Sequence, residues 1–224
     1  MNTVFAKIFV IFWKDMLTEL RTKEVVVSVL VFALLVVVIF NFAFGTRAGT
    51  VEMAAPGILW VALTFGGVLG FNRIFAVEKE NLRLEGLMLC PVDRAVIYWG
   101  KLVGSFTFIL AVAVVITPIF LVLFNLPLFL PRLALVIVLA IIGFSAVGTL
   151  FSAVAINTRA RDIMLPILFL PVAVPVIIAA VKATALVLAG SSWGDMATWL
   201  QIMIAFDVIY LVVATLVFEF VVEE

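Results

Sequence analysis

Apolar runs about as long as a bilayer core is thick alternate along this chain with short charged or turn-forming stretches. The first, Val25 to Phe44, is nearly unbroken, with Asn41 near its end. A second runs from about Ala54 to Phe75, with Pro56 close to its start, where a missing N–H costs least. A third extends from about Val96 to Phe124 and contains Pro118. The fourth is Leu133 to Ile156. The fifth begins near Ile163 and carries Pro166, Pro171 and Pro175, which should bend it and free carbonyls that neighbours must satisfy. The sixth spans about Leu200 to Val222. Gly45–Val51, the proline-bearing turn Asn125–Arg132, the basic loop Asn157–Asp162 and the tryptophan-bearing Gly190–Trp199 connect them. Six such runs are too many for one buried core. The pattern predicts an all-α integral membrane protein with six transmembrane helices, in one membrane domain over residues 1–224 with no soluble domain.

Before the first run, Phe5, Ile8, Phe9, Phe12, Trp13, Met16, Leu17 and Leu20 recur at helical spacing. Lys7, Lys14, Asp15, Glu19 and Arg21 fall largely between them. Residues 1–23 therefore read as an amphipathic helix lying in the headgroup plane. The competing reading is a soluble amphipathic helix packed on a partner. The stretch lacks the continuous apolar core and cleavage site of a signal peptide.

Two thirds of the residues are apolar (67%) and 12% charged, far from a soluble domain's balance. The distribution of positive charge says more than its zero net sum. With both termini on one side, that side receives eleven of the fourteen lysines and arginines. The other receives only Arg47, Arg132 and Lys182. The rule that cytoplasmic loops are basic then puts the termini in the cytoplasm. Histidine is absent and the single cysteine, Cys90, has no disulfide partner in the chain. No phosphate-binding loop is present, since GKLVGS at Gly100–Ser105 lacks the spacing, and Ser145 and Ser152 have no histidine base. The chain is not read as an enzyme, and no metal or nucleic acid is expected.

The longest charged interruption is Glu78 to Lys101, EKENLRLEGLMLCPVDRAVIYWGK. Acidic and basic residues alternate with Leu82, Leu84, Leu87, Met88 and Leu89, up to Pro91 and Asp93. Glu78–Pro91, within a charged segment at 77–95, thus reads as a short amphipathic helix at the membrane surface, ended ahead of the proline. It is either a lever touched by a soluble partner or a loop that only anchors to lipid. Gly57, Gly66, Gly67 and Gly70 read as close helix contacts. Lys182, late in the fifth run, is placed to snorkel outward. Asp207, a third of the way into the sixth run with no cation one turn away, should face the bundle interior, a partner or water. Substrate passage, helix–helix hydrogen bonding and gating all remain open for it.

APGILWVA at Ala55–Ala62, FNRIFAVEKENLRLEGLMLCPVDRAVIYWGK at Phe71–Lys101 and LPILFLPVAVPVIIAA at Leu165–Ala180 follow one another in a distinctive order and spacing. With the opening at Phe12–Arg21, they closely resemble the haem exporter protein B (CcmB) family of cytochrome c biogenesis, over essentially the whole chain. In one departure, Asn81, Leu82 and Arg83 stand where relatives place an Asp-Gly-Ser/Thr turn, which should make the lever more helical. The resemblance implies a permease of the ABC-2 type in the bacterial inner membrane, with ATP hydrolysed by a separate cytoplasmic ABC subunit. It further implies a haem-handling membrane subunit, a small membrane subunit and a periplasmic haem chaperone as partners. The chain would be present in two copies or as a permease heterodimer, with haem and ATP held by partners and no cofactor bound directly. Within the lever, Leu84, Leu87 and Met88 would be the apolar anchor in the ATPase groove. Glu80, Arg83 and Glu85 would be its polar rim, bounded by Glu78 and Pro91. Rival readings are a permease for another substrate and a non-transporting membrane scaffold.

Overall fold

The computed structural model describes the backbone of residues 2–44, 50–80, 92–127, 131–156 and 161–221. Side chains are described for 4–19, 23–44, 53–72, 92–127, 131–155 and 162–221. These residues form seven α-helices: α1 (Asn2–Thr22), α2 (Glu24–Phe44), α3 (Thr50–Glu80), α4 (Arg94–Leu123), α5 (Pro131–Ile156), α6 (Arg161–Leu188) and α7 (Trp193–Val221). Six, α2 to α7, are long and apolar enough to cross a bilayer. The chain is an all-α, multi-pass membrane protein.

The helix ends are set by local chemistry. α1 stops at Lys23, whose φ of 54° lies in the left-handed region. Across that corner the Val26 N–H donates to Glu19 Oε1 at 3.2 Å, so a side chain of α1 satisfies an orphan donor of α2. α4 opens on Asp93, whose carboxylate accepts from the Ala95 N–H. At its other end the Leu126 N–H reaches Leu121 O and the Asn125 N–H reaches Val122 O, with Asn125 at φ 54°. This is a Schellman closure with asparagine at the left-handed position. α6 ends the same way: Ser191 N–H to Leu186 O, Gly190 N–H to Val187 O, and Gly190 at φ 69°.

α7 begins earlier than its hydropathy indicates. Gly190–Trp199 is polar enough to read as a connection, yet the helix starts at Trp193. Ser192 Oγ accepts from the Asp195 N–H, while the Asp195 carboxylate accepts from the Ser192 N–H and hydroxyl. That reciprocal capping box starts a helix before the apolar run does. Asp207 thereby moves from a third of the way along the helix to its midpoint. The three prolines of α6 lie inside one continuous helix and do not break it.

α3 and α5 are the central helices, and α2 and α7 leave most of their surface to the surroundings. In lipid, association rests on close packing and interhelical hydrogen bonds, not on water exclusion. Gly66 and Gly70 of α3 sit against Val29 of α2 and Phe108 of α4, the close contacts expected of them, whereas Gly57 meets nothing within 4 Å. Gly148 of α5 lies beneath the ring of Phe71. Ser152 donates to the Phe71 carbonyl, Thr149 to Ser105 Oγ and Trp60 Nε1 to Thr184 Oγ1, so these hydroxyls join helices. Most buried side chains form one core through α2–α7. A second, smaller cluster closes the end where α4 begins and α5 and α7 finish. This is the basic end of the bundle, and the opposite one is its far end.

Candidate functional site

The charged segment enters the bundle at the basic end. α3 runs unbroken to Glu80, so the backbones of Glu78 and Glu80 belong to the last turns of α3 and do not start a separate helix. Arg83, Leu84, Glu85, Leu87, Met88 and Pro91 lie outside the described residues, as does the departure at Asn81–Arg83. The chain is described again at Val92, and Asp93 at once caps α4. The segment is thus tied at one end to α3 and at the other to the first turn of α4.

Beneath that first turn lies the second cluster. Val96, Ile97, Tyr98 and Leu102 of α4 meet Ala146, Leu150 and Ala153 of α5, Ala214 and Phe218 of α7 and Ile11 of α1. Tyr98 is fully buried; its hydroxyl donates to the Ala146 carbonyl at 3.2 Å and its ring packs on Phe218. Arg94 Nη1 donates to the Glu219 carbonyl at 3.3 Å, linking the start of α4 to the end of α7. Three helices, α1, α5 and α7, are therefore gripped by about the first two and a half turns of α4.

α1 is fixed by an interaction the charge pattern does not reveal. Lys101 counts among the surface cations by sequence, but its side chain is 1% exposed, and Nζ lies 2.7 Å from Oδ2 of Asp15, itself 15% exposed. Asp15 also sits 3.2 Å from Lys14. The approach is made possible by Gly100: a Cβ there would stand 2.7 Å from Ile11 Cγ2, and Gly104 faces Asp15. The stretch GKLVG, useless as a phosphate loop, is a small-xxx-small contact with a cation inside it.

The greasy ridge of α1 is therefore divided. Ile11 is buried and Ile8 half-buried against α4, while Phe5, Phe9 and Trp13 stay exposed, with Phe9 and Trp13 stacked at 6.0 Å between centroids. Beyond Asp15, burial pushes the Glu19 carboxyl above its ordinary range and the Val26 N–H pulls it partly back. α1 is bound to the bundle along one face and presents aromatic rings along another.

Other sequence candidates fall elsewhere. Lys182 is exposed on α6, as a snorkelling residue would be. Asp207 is 5% exposed in the bundle interior, remote in sequence from the charged segment and not part of the basic-end cluster. The sequence does not mark Asp15 and Lys101 as a pair, because they are 86 residues apart. The available signal was Gly100 and Gly104 bracketing Lys101. Among the described residues no group of acidic, cysteine or histidine side chains is arranged to hold a metal. The arrangement joins one segment to α3 and α4, and α4 in turn packs on α1, α5 and α7.

Comparison with known proteins points to one family. Heme exporter protein B of Pseudomonas aeruginosa is 27% identical over 150 residues, covering 66% of this chain and 67% of that protein. Heme exporter protein B of Paracoccus denitrificans is 31% identical over 162 residues, covering 69% and 71%. The Rhodobacter capsulatus protein of the same name is 29% identical over 152 residues, covering 66% and 69%. The family model described as "CcmB protein" matches residues 6–223, nearly the whole chain, including most of α1, the charged segment and all six spans. The chain belongs to the CcmB family.

Proposed function

We propose that this chain is the membrane permease subunit of an ABC transporter complex for cytochrome c maturation, driven by ATP hydrolysis on a separate subunit. The observation that carries the reading is the family match over residues 6–223, with relatives named for haem export. Haem is the cargo, or its loaded periplasmic chaperone is what the movement releases; haem and ATP are held by partner subunits. The basic end faces the cytoplasm of the inner membrane. Ten of fourteen lysines and arginines still favour that side once Lys101 is counted as internal.

The motor engages residues 78–91. Leu84, Leu87 and Met88 fill its groove and Arg83 and Glu85 rim it, with Glu80 on the last turn of α3 beside them. A push there moves the ends of α3 and α4, and through α4 the helices α1, α5 and α7. Two such chains, or this one with a second permease, would move as rigid bodies.

Deleting the gene should abolish covalent haem on c-type cytochromes, and Leu87→Asp or Met88→Asp should insert normally yet fail to copurify with the ATPase. Intact cytochromes after deletion would point to a permease for another substrate. A chain that never alters ATP turnover would point to a scaffold.

A further inference from the structure

Asp207 stands apart from the coupling end and needs its own account. It occupies the midpoint of α7, so it lies in the middle of the hydrocarbon layer. It is 5% exposed, and neither carboxyl oxygen has a hydrogen-bond partner. The carboxyl rests on the backbone of α5 at Gly143: a Cβ at that glycine would stand 2.6 Å from Oδ1 and 3.0 Å from the Phe206 ring. A helix-interior glycine costs about 1 kcal/mol relative to alanine, and at position 143 it makes the space that the carboxyl fills.

The charges that might serve this carboxyl are committed or distant. α5 contains no titratable residue between Leu133 and Ile156. On α4, Tyr98 donates to Ala146 O, Lys101 is paired with Asp15 and Arg94 holds the Glu219 carbonyl. α6 offers Arg161 and Asp162 in its first turn and Lys182 on its exposed face. On α7 itself, Asp195 is bound to Ser192, Glu219 is three turns away, and the nearest titratable group, Tyr210, turns its ring onto Phe206 at 4.3 Å.

From this geometry we propose that Asp207, seated on Gly143, is an intramembrane proton-binding site. An ionised carboxylate with no cation and no donor in so dry a place costs far more than the neutral acid. A metal cation fits poorly: the neighbours at the carboxyl are an aromatic ring and a side-chain-free backbone, not a shell of oxygens. The bound proton exchanges with water only when α7 parts from α5. The site therefore reports, and helps to hold shut, the contact between those two helices, whichever cargo the transporter carries.

The test uses the full chain in native membranes. The lipid-soluble reagent dicyclohexylcarbodiimide adds to carboxyls that carry a proton, and mass spectrometry reads the adduct on the Asp207 peptide. The expected result is labelling that fades as pH rises, is unaffected by sodium or lithium, and is not reproduced by a water-soluble carbodiimide. Asp207→Asn should keep the chain's membrane level and lose the adduct. An unlabelled Asp207 peptide from wild-type membranes would overturn the proposal. So would protection by sodium, which marks a metal-cation site, or equal labelling by the water-soluble reagent, which marks an open, hydrated carboxylate. The wild-type arms decide even where a variant fails to accumulate.

Discussion

At the far end, the chain turns are closed by the backbone itself. Asn125 and Gly190 take the left-handed conformation, and the carbonyls of α4 and α6 are satisfied by the residues that follow. Arg132 then ties the turns together, donating to the Ser191 carbonyl at 2.6 Å and lying 4.8 Å over the Trp193 ring, and Asn41 of α2 donates to Leu123 O. At the basic end the corresponding grip is made between side chains of helices distant in sequence: Asp15 with Lys101, Tyr98 with Phe218, Ile11 over Gly100. Backbone closures are local and hold one geometry. Contacts between whole helices hold helices to one another while leaving their common position free. Under the proposed coupling, contacts of the second kind suit the end that would receive the motor's push.

Breaking the basic-end grip should have the largest effect. Lys101→Leu or Asp15→Leu breaks the buried pair that joins α1 to α4 and should cost at most about 3–5 kcal/mol, seen as a lowered Tm of the detergent-solubilised chain. Exchanging the two residues, Asp15→Lys with Lys101→Asp, should recover much of that loss. Recovery would separate the ion pair from a mere packing role. Gly100→Val comes next: the added side chain meets Ile11, and overpacking of this kind costs about 1–3 kcal/mol. It should also loosen α1 from α4, read as faster proteolysis of α1 in membranes. At the far end, Arg132→Ala loses a hydrogen bond and a ring contact, about 1–2 kcal/mol together. It should lower Tm without altering ATPase copurification. Equal damage to both readouts would erase the distinction between the ends.

The smallest effect is one of pH at the α1–α2 corner. Burial raises the Glu19 carboxyl above its ordinary 4.5, so the folded corner favours the protonated form. Its contribution is then fully present below the ordinary value and is lost as pH rises through the raised one. Glu19→Gln, which still accepts from the Val26 N–H, should flatten that part of the pH–stability profile.

The same contrast decides what the sequence reveals. Six spans are legible because hydropathy is a local property, and the far-end turns because asparagine, glycine and proline announce them. The start of α7 is missed by hydropathy, since Ser192 and Asp195 build a helix from polar residues. The end of α3 is missed too: helix continues through Glu78 and Glu80, past the point where charge begins. Lys101 looks like a surface cation until Asp15, 86 residues earlier, is placed beside it by a glycine that lets two helices touch. Asp207 is legible as a residue turned from lipid toward the interior, a partner or water, but Gly143, which makes its seat, is one apolar-helix glycine among several.

An electron cryomicroscopy map of the complex with its ATPase, with and without nucleotide, tests the transmission most directly. The account predicts the motor seated on residues 78–91 and Asp15 within ion-pair distance of Lys101 in both states, α1 and α4 shifting together. A motor bound elsewhere with that segment bare, or α1 parted from α4 in either state, would contradict it.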